Sequence, residues 1–306
     1  MKNRSGKVRI GMGGWEHDVF DETLYGSDRL TTGQKLSFYA RYFQTVEVRQ
    51  SFWDADLSTG DAAEWCDAVR DSPDFRFQLK LHSSFTHRKE LSSSLASKVR
   101  GMLQEMARRD SLGSLLAQFP YAFTNTSRSR YHLHALSQLF TGFPVCVEFR
   151  HESWRFPGLN DFLKENSLTL VSADLPRIRQ FMPFVNGATG EAPYLRLHGR
   201  NERGWLLGGY DVRYDYLYNA REVRELQKRL EALSPRAEQV TVIANNTTGA
   251  KSIPLALQLA SVVREGKPVM VPPASLRAFP ALRSIACPDD VESLPLEFTE
   301  GYRSAI

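Results

Sequence analysis

The stretch Val145-Cys-Val-Glu-Phe-Arg150 alternates apolar and polar side chains without a break. An extended strand sends successive side chains to opposite faces, so Val145, Val147 and Phe149 share one face and Cys146, Glu148 and Arg150 the other. The same reading of Pro193-Tyr-Leu-Arg-Leu-His-Gly199 sets Tyr194, Arg196 and His198 against Leu195 and Leu197. In Phe75–His82 it separates Arg76, Gln78, Lys80 and His82 from their apolar neighbours, and in Thr45–Phe52 it turns Glu47 and Arg49 to the polar side. Strands with charge on one face and large apolar groups on the other call for a fold in which the charged faces meet one another.

Further apolar or β-branched runs at Val8–Gly13, Leu115–Phe119, Leu168–Asp174 and Gln239–Asn245 bring the strand count to eight. Between the strands, apolar residues return every three or four positions at Thr32–Tyr42, Asp61–Val69, Ser92–Arg108, Ser129–Phe140, Ala220–Leu233 and Ser252–Arg264, which predicts helices. Each gap has room for one crossover helix, and strand–helix alternation implies a parallel sheet. Eight such units over residues 8–265 match the ~250 residues of a (β/α)8 TIM-type barrel, with a doubly wound open sheet as the alternative α/β fold. In the barrel the polar faces point inward and the apolar faces meet the helices. Two long connections, Pro176–Ala192 and Arg200–Asn219, fall on the catalytic face. The second carries Trp205, Tyr210, Tyr214, Tyr216 and Tyr218 and reads as a lid, with Trp205 or Tyr210 closing over the mouth. After Gly266, the prolines at 268, 272, 273, 280, 288 and 295 argue against a packed helix, so the expected organisation is one barrel domain over 1–265 and a proline-rich extended tail over 266–306.

With 42% hydrophobic and 24% charged residues in 306, the composition is that of an ordinary globular chain and excludes collagen-like or wholly disordered classes. No window is long and apolar enough for a membrane span, and the opening residues lack the apolar region of a signal peptide, so no membrane partner and a cytoplasmic location are expected. Cys66, Cys146 and Cys287 encode neither a disulfide framework nor a thiolate zinc site. A net charge of +4 is too slight to declare a nucleic-acid partner.

Function is expected where the inward charges converge. Glu47, Lys80, Glu148, Arg150, Asp174, Arg196 and His198 fall at or near strand ends, and unpaired burial of such charges costs several kcal/mol, so they must pair, hydrate or await a ligand. Glu47 with Arg196 and Glu148 with Arg150 are the natural pairs. The basic excess, with His87 and His151 close by, points to a small anionic or phosphorylated ligand. Without a metal or other cofactor, Glu148 or Glu47 would serve as general base and His198 or His87 as acid, with Asp174 a further catalytic candidate. Arg150, Arg196 and Lys80 would hold the anion. Trp15, Trp154, Asn245 and Asn246 follow strand ends and complete the candidate binding set, the tryptophans either stacking on a sugar or base or packing under loops. Two alternatives stand beside this enzyme reading. A divalent ion held by His, Asp and Glu would make the protein a metal-dependent phosphodiesterase. A basic, aromatic mouth would grip nucleic acid or an abasic position without catalysis.

These residues lie in ordered blocks: Gly11-Met-Gly-Gly-Trp15, Val46-Glu-Val48 with Ser51-Phe52, Lys80 with Thr86-His87, Leu112-Gly113 with Gln118-Phe-Pro120, Glu148-Phe-Arg-His-Glu-Ser-Trp154, Ala173-Asp174, Tyr194-Leu-Arg-Leu-His-Gly199, and Ala244-Asn-Asn246 with Gly249. Their content and order resemble the YecE-like family, domain of unknown function 72, from residue 9 to about residue 260. The resemblance implies a TIM-type barrel related in shape to xylose isomerase and the apurinic endonucleases, and it implies no established reaction. Met12 and Gly13 stand where that family usually has Thr and Ser, Arg49 where it has Asn, and Trp53 where it has Tyr.

Overall fold

The computed structural model describes residues 7–185, 192–233 and 237–288. Strands β1 (Lys7–Gly13), β2 (Thr45–Val48), β3 (Arg76–Lys80), β4 (Leu112–Gln118), β5 (Val145–Glu148), β6 (Leu168–Asp174), β7 (Tyr194–Leu197) and β8 (Gln239–Ala244) pair in parallel, in sequence order. β8 returns to β1, so the sheet closes into a barrel and the open-sheet alternative falls away.

The register confirms the inward and outward faces read from alternation. Val46, Val48, Phe77, Leu79, Val145, Val147, Leu195 and Leu197 are buried in the layer between barrel and helices. Inside, Leu116, Cys146, Val171, Tyr194 and Ile243 form a separate apolar cluster. Four strands end two to four residues earlier than alternation suggests, at Val48, Lys80, Glu148 and Leu197, so Arg49, Arg150 and His198 lie in the loops at the C-terminal face of the barrel. Helix starts follow capping chemistry. Thr31 and Gln34 form a reciprocal capping box, as do Ser58 and Asp61, and Thr126 caps Ser127–Leu139 by accepting from the Ser129 N–H.

Three expectations need correction. No helix occurs among the described residues between β6 and β7; there Phe181 forms an isolated antiparallel bridge with His151, and the Met182 N–H donates to the Arg150 carbonyl. A helix at Leu159–Glu165 was not expected from the sequence; it starts after Gly158 in the left-handed region (φ 89°) and buries Leu159 and Leu163. The described part of the tail is not simply extended, because Pro273–Ala278 is helical with proline in its first turn, where a missing N–H costs nothing. Val269, Val271, Leu276 and Leu282 of this segment join the main core. Residues 289–306 and 186–191, which belong to the expected tail and loop, lie outside the described residues.

One hydroxyl ties β1 to β2 where the barrel turns toward its mouth. Tyr39 Oη donates to the Thr45 carbonyl (2.9 Å) and accepts from the Met12 N–H (2.7 Å), and its ring is fully buried. Tyr39→Phe should therefore leave that N–H without a partner and lower unfolding stability by about 1–3 kcal/mol, measured by urea denaturation.

Candidate active site at the barrel mouth

Arg196, on β7, lies between two carboxylates from distant strands. Its Nε and Nη2 donate to Glu47 Oε2 (2.8 Å) and Oε1 (2.7 Å), a bidentate fork, and its Nη1 donates to Glu148 Oε2 (2.5 Å). Tyr194 Oη also donates to Glu47 Oε2 at 3.0 Å. The other Glu148 oxygen faces Arg150 Nη2 (2.7 Å) and His198 Nε2 (3.1 Å). His198 Nδ1 in turn meets Asn245 Nδ2 at 3.0 Å. With the amide nitrogen donating to Nδ1, Nε2 carries the imidazole proton toward Glu148, so the chain Asn245–His198–Glu148 is satisfied by a neutral imidazole. The absence of a side chain at Gly13 makes room for Asn245, whose Oδ1 lies 2.2 Å from where a Cβ would stand.

Both expected pairs are thus present, yet the expected roles change. Burial alone would raise the Glu148 carboxyl, but Arg150, Arg196 and His198 outweigh it and hold it well below the usual carboxylate range, which makes it a weak base. Burial, followed by Arg150, pushes His198 down to about 3, so it carries no imidazolium proton to give near neutrality. Arg196 has its guanidinium spread over two carboxylates beneath the surface and is an organiser of the site, not a free anion donor. Glu47 is spent on Arg196 and Tyr194.

The open edge of the cluster is formed by other groups. Glu47, Glu148 and His198 are 0% exposed and Arg196 2%, whereas Arg150 and Asn245 are 5% and Lys80 8% exposed. Arg150 Nη1 and Asn245 Oδ1 are buried atoms with no hydrogen-bond partner. Lys80 Nζ lies 4.0 Å above the Phe52 ring, and burial, followed by Arg196, lowers its ammonium to about 7. His87 stands on the exposed rim with its ring 5.0 Å from Phe52. Partial burial, then Lys80 and Arg150, lowers it to about 4.

Arg49, expected on the inward face, is joined at the mouth by residues beyond the expected set. His17 Nε2 meets the Gly13 carbonyl at 2.6 Å and Arg49 Nη1 at 3.3 Å. With Trp53, 67% exposed, and Tyr214 they line a hollow of about 390 Å³. The only sequence signal for His17 was its place just after the Gly11-x-Gly13-Gly14 turn. The lid stretch folds into two short helices, Glu202–Leu207 and Tyr210–Arg213. Trp205 packs between the guanidinium groups of Arg150 (5.1 Å) and Arg213 (5.7 Å), and Tyr214 lies 5.8 Å from the His198 ring. Trp205 is thus one of the two residues expected to cover the mouth; the Tyr210 side chain is outside the described part.

Several candidates are engaged in structural contacts, although Trp15 borders the same hollow. Asp174 sits on the helix-facing side of β6, opposite Leu197, where Arg200, Arg229 and Tyr218 hold it. Trp154 is fully buried, stacks on Phe149 at 4.1 Å and donates to the Phe123 carbonyl. Trp15 is buried edge-on against Trp65. Neither indole is free to stack on a ligand. His151 caps the turn Glu152–Trp154 through Ser153. Asn246 holds the Tyr216 and Lys251 carbonyls and so fastens the lid's outer end. Cys146 belongs to the apolar interior, where burial pushes its thiol up to about 11. Among the described residues, no three His, Cys, Asp or Glu side chains gather as metal ligands, because the inward carboxylates are engaged by arginines. No described helix is long and apolar enough to cross a membrane.

Fold and site together define a parallel (β/α)8 barrel with a buried carboxylate–arginine cluster at the C-terminal ends of its strands. The chain belongs to the DUF72 family, described as proteins of unknown function, whose model matches residues 9–278 and so reaches into the proline-rich segment. It is 29% identical over 261 residues to the UPF0759 protein YunF of Bacillus subtilis, covering 79% of this chain and 89% of that one. A DUF72 family crystal structure from Thermotoga maritima superposes with a TM-score of 0.74 at 26% identity, covering 84% of this chain and 99% of that one. One from Enterococcus faecalis gives 0.72 at 28% identity, covering 84% and 95%.

Two stability outcomes follow from the cluster. Arg196→Ala strands two buried carboxylates and should cost about 3–5 kcal/mol in denaturant unfolding. Lys80 has a folded-state pKa below its unfolded value, so the unfolded chain binds more protons between about pH 7 and the ordinary lysine value. Its burial penalty is full below that window and is relieved as pH rises through it. Lys80→Met should accordingly raise the melting temperature most at pH 6, with the gap closing by pH 10.

Proposed function

We propose that the protein is an enzyme that carries out acid–base chemistry on a small anionic ligand, of the phosphorylated sugar or nucleotide class, at the barrel mouth. The observation that carries this reading is the unpartnered, buried Arg150 Nη1, an N–H donor left open in a cluster whose other arginine is fully engaged. A buried cationic donor without an acceptor is costly, and a ligand oxygen is the acceptor that fits it. Lys80 supports the catalytic part, being a buried amine whose proton is exchangeable near neutral pH. Arg49, His17 and Trp53 extend the polar and aromatic rim on which the rest of such a ligand would rest. The lid tryptophan stacked over Arg150 would exclude water once the ligand is in place.

A thermal-shift series with sugar phosphates, nucleotides and an abasic oligonucleotide tests the reading, since a ligand bound only by the native state raises apparent stability. At least one small phosphate ester should raise the melting temperature of the parent. Arg150→Ala should weaken its binding by about 1.5–3 kcal/mol, the value of a charge-assisted hydrogen bond, read by calorimetry. Equal affinity in variant and parent would remove the arginine's role. Stabilisation by the oligonucleotide alone would move the reading to nucleic-acid binding.

A further inference from the structure

We propose that Lys80 is a nucleophile, and that the site takes a carbonyl compound bearing an anionic group and holds it as an imine on Lys80 Nζ. The inference rests on the anionic-ligand reading and adds the functional group on which the chemistry occurs.

Lys80 is a buried amine that no carboxylate of the cluster holds. It closes β3 at the C-terminal rim, where its carbonyl accepts from Ser51 Oγ at 2.6 Å and pins the backbone. Its side chain forms no ion pair among the described residues, because Glu47 is taken by Arg196 and Glu148 by Arg196 and Arg150. Its nitrogen lies over the Phe52 ring, a contact that favours the ammonium, as do the nearby charges of Glu47 and Glu148, but burial, Arg196 and Arg49 outweigh them. A lysine kept for its charge alone would rest on one of those carboxylates. Desolvated and beside other cations, this one is poised as the free amine, which is the form that adds to carbonyl carbon. Lys80 is also, at 8%, the most exposed member of the buried cluster.

The neighbours narrow the chemistry further. Glu148 is held ionised by three partners and His198 is held neutral, so neither is suited to exchange a proton with substrate near neutrality. Imine formation needs the free amine and a proton carrier to the departing oxygen, a role that falls to solvent water here. The Nζ lone pair forms the N–C bond while the carbonyl π pair moves to oxygen. The two amine protons pass to that oxygen, the C–O bond breaks, and water leaves: one carbonyl and one amine become one imine and one water. The imine nitrogen then takes up one further proton from solvent, and the substrate's anionic group would meet Arg150 Nη1 and offset the resulting positive charge.

The test is reductive trapping on the full-length chain. The protein is incubated at pH 7 with glyoxylate, pyruvate, dihydroxyacetone phosphate or glyceraldehyde 3-phosphate, reduced with sodium borohydride, and mapped by peptide mass spectrometry. At least one carbonyl should label Lys80 at least about tenfold more than the exposed Lys98 and Lys164. Lys80→Arg keeps the positive charge but cannot condense; with an unchanged far-ultraviolet circular dichroism spectrum it should lose the adduct. Labelling of Lys80 no greater than that of Lys98, with all four compounds, overturns the proposal. If phosphate esters still stabilise the parent through Arg150 while Lys80 stays unlabelled, only the imine fails; if neither is seen, the anionic-ligand reading fails with it.

Discussion

Everything at the mouth depends on the bidentate contact between Arg196 and Glu47, extended by the third arginine nitrogen to Glu148. It joins β2, β5 and β7 through side chains that are essentially inaccessible to water. A buried ion pair is a poor source of net stability, because desolvation offsets most of the attraction. What it supplies is position. Once both carboxylates are committed to Arg196, the second Glu148 oxygen has one place left to accept, and Arg150 and His198 are drawn to it.

The electrostatics above this clamp follow from its closure. Two glutamates against two arginines leave the buried layer near neutrality, so the next cation, Lys80, has no counter-charge of its own. The same commitment holds the Glu148 carboxyl low and the His198 imidazole neutral, so neither matches the base and acid roles that the sequence suggests for them. The outer cluster of Asp174, Arg200, Arg229 and Glu222 is built from similar residues for another purpose: it anchors the lid's far end to the helix Ala220–Leu233, with Tyr216 and Tyr218 as hydroxyl partners. The connection Arg200–Asn219 is therefore held at its outer end by ion pairs and at its inner end by Trp205 against Arg150.

Strand count, closure and the facing of Glu47, Lys80, Glu148 and Arg196 were legible in the sequence because strand alternation is local: one residue's face follows from its neighbour's. Asp174 was misjudged for the same reason in reverse. In Leu168-Thr-Leu-Val-Ser-Ala-Asp174 apolar and small residues fall on both faces, so the period of two carries no sign, and only pairing of Asp174 with Leu197 turns it outward. Trp15 and Trp154 follow strand ends as ligand-stacking residues do, yet a chain position cannot distinguish a ring that covers the mouth from one tucked beneath a loop. The helix Pro273–Ala278 was missed because proline was read as a breaker, although in a first turn it is well placed.

The sequence by itself determined the barrel, its inward charges and the family. The tertiary structure alone decided which of those charges are spent and which are left open. The reason is that a partner such as Glu47 for Arg196, or its absence for Lys80, depends on register summed across several strands and on how far each side chain reaches from its layer. No short-range pattern encodes either quantity, whereas closing the barrel sets both at once.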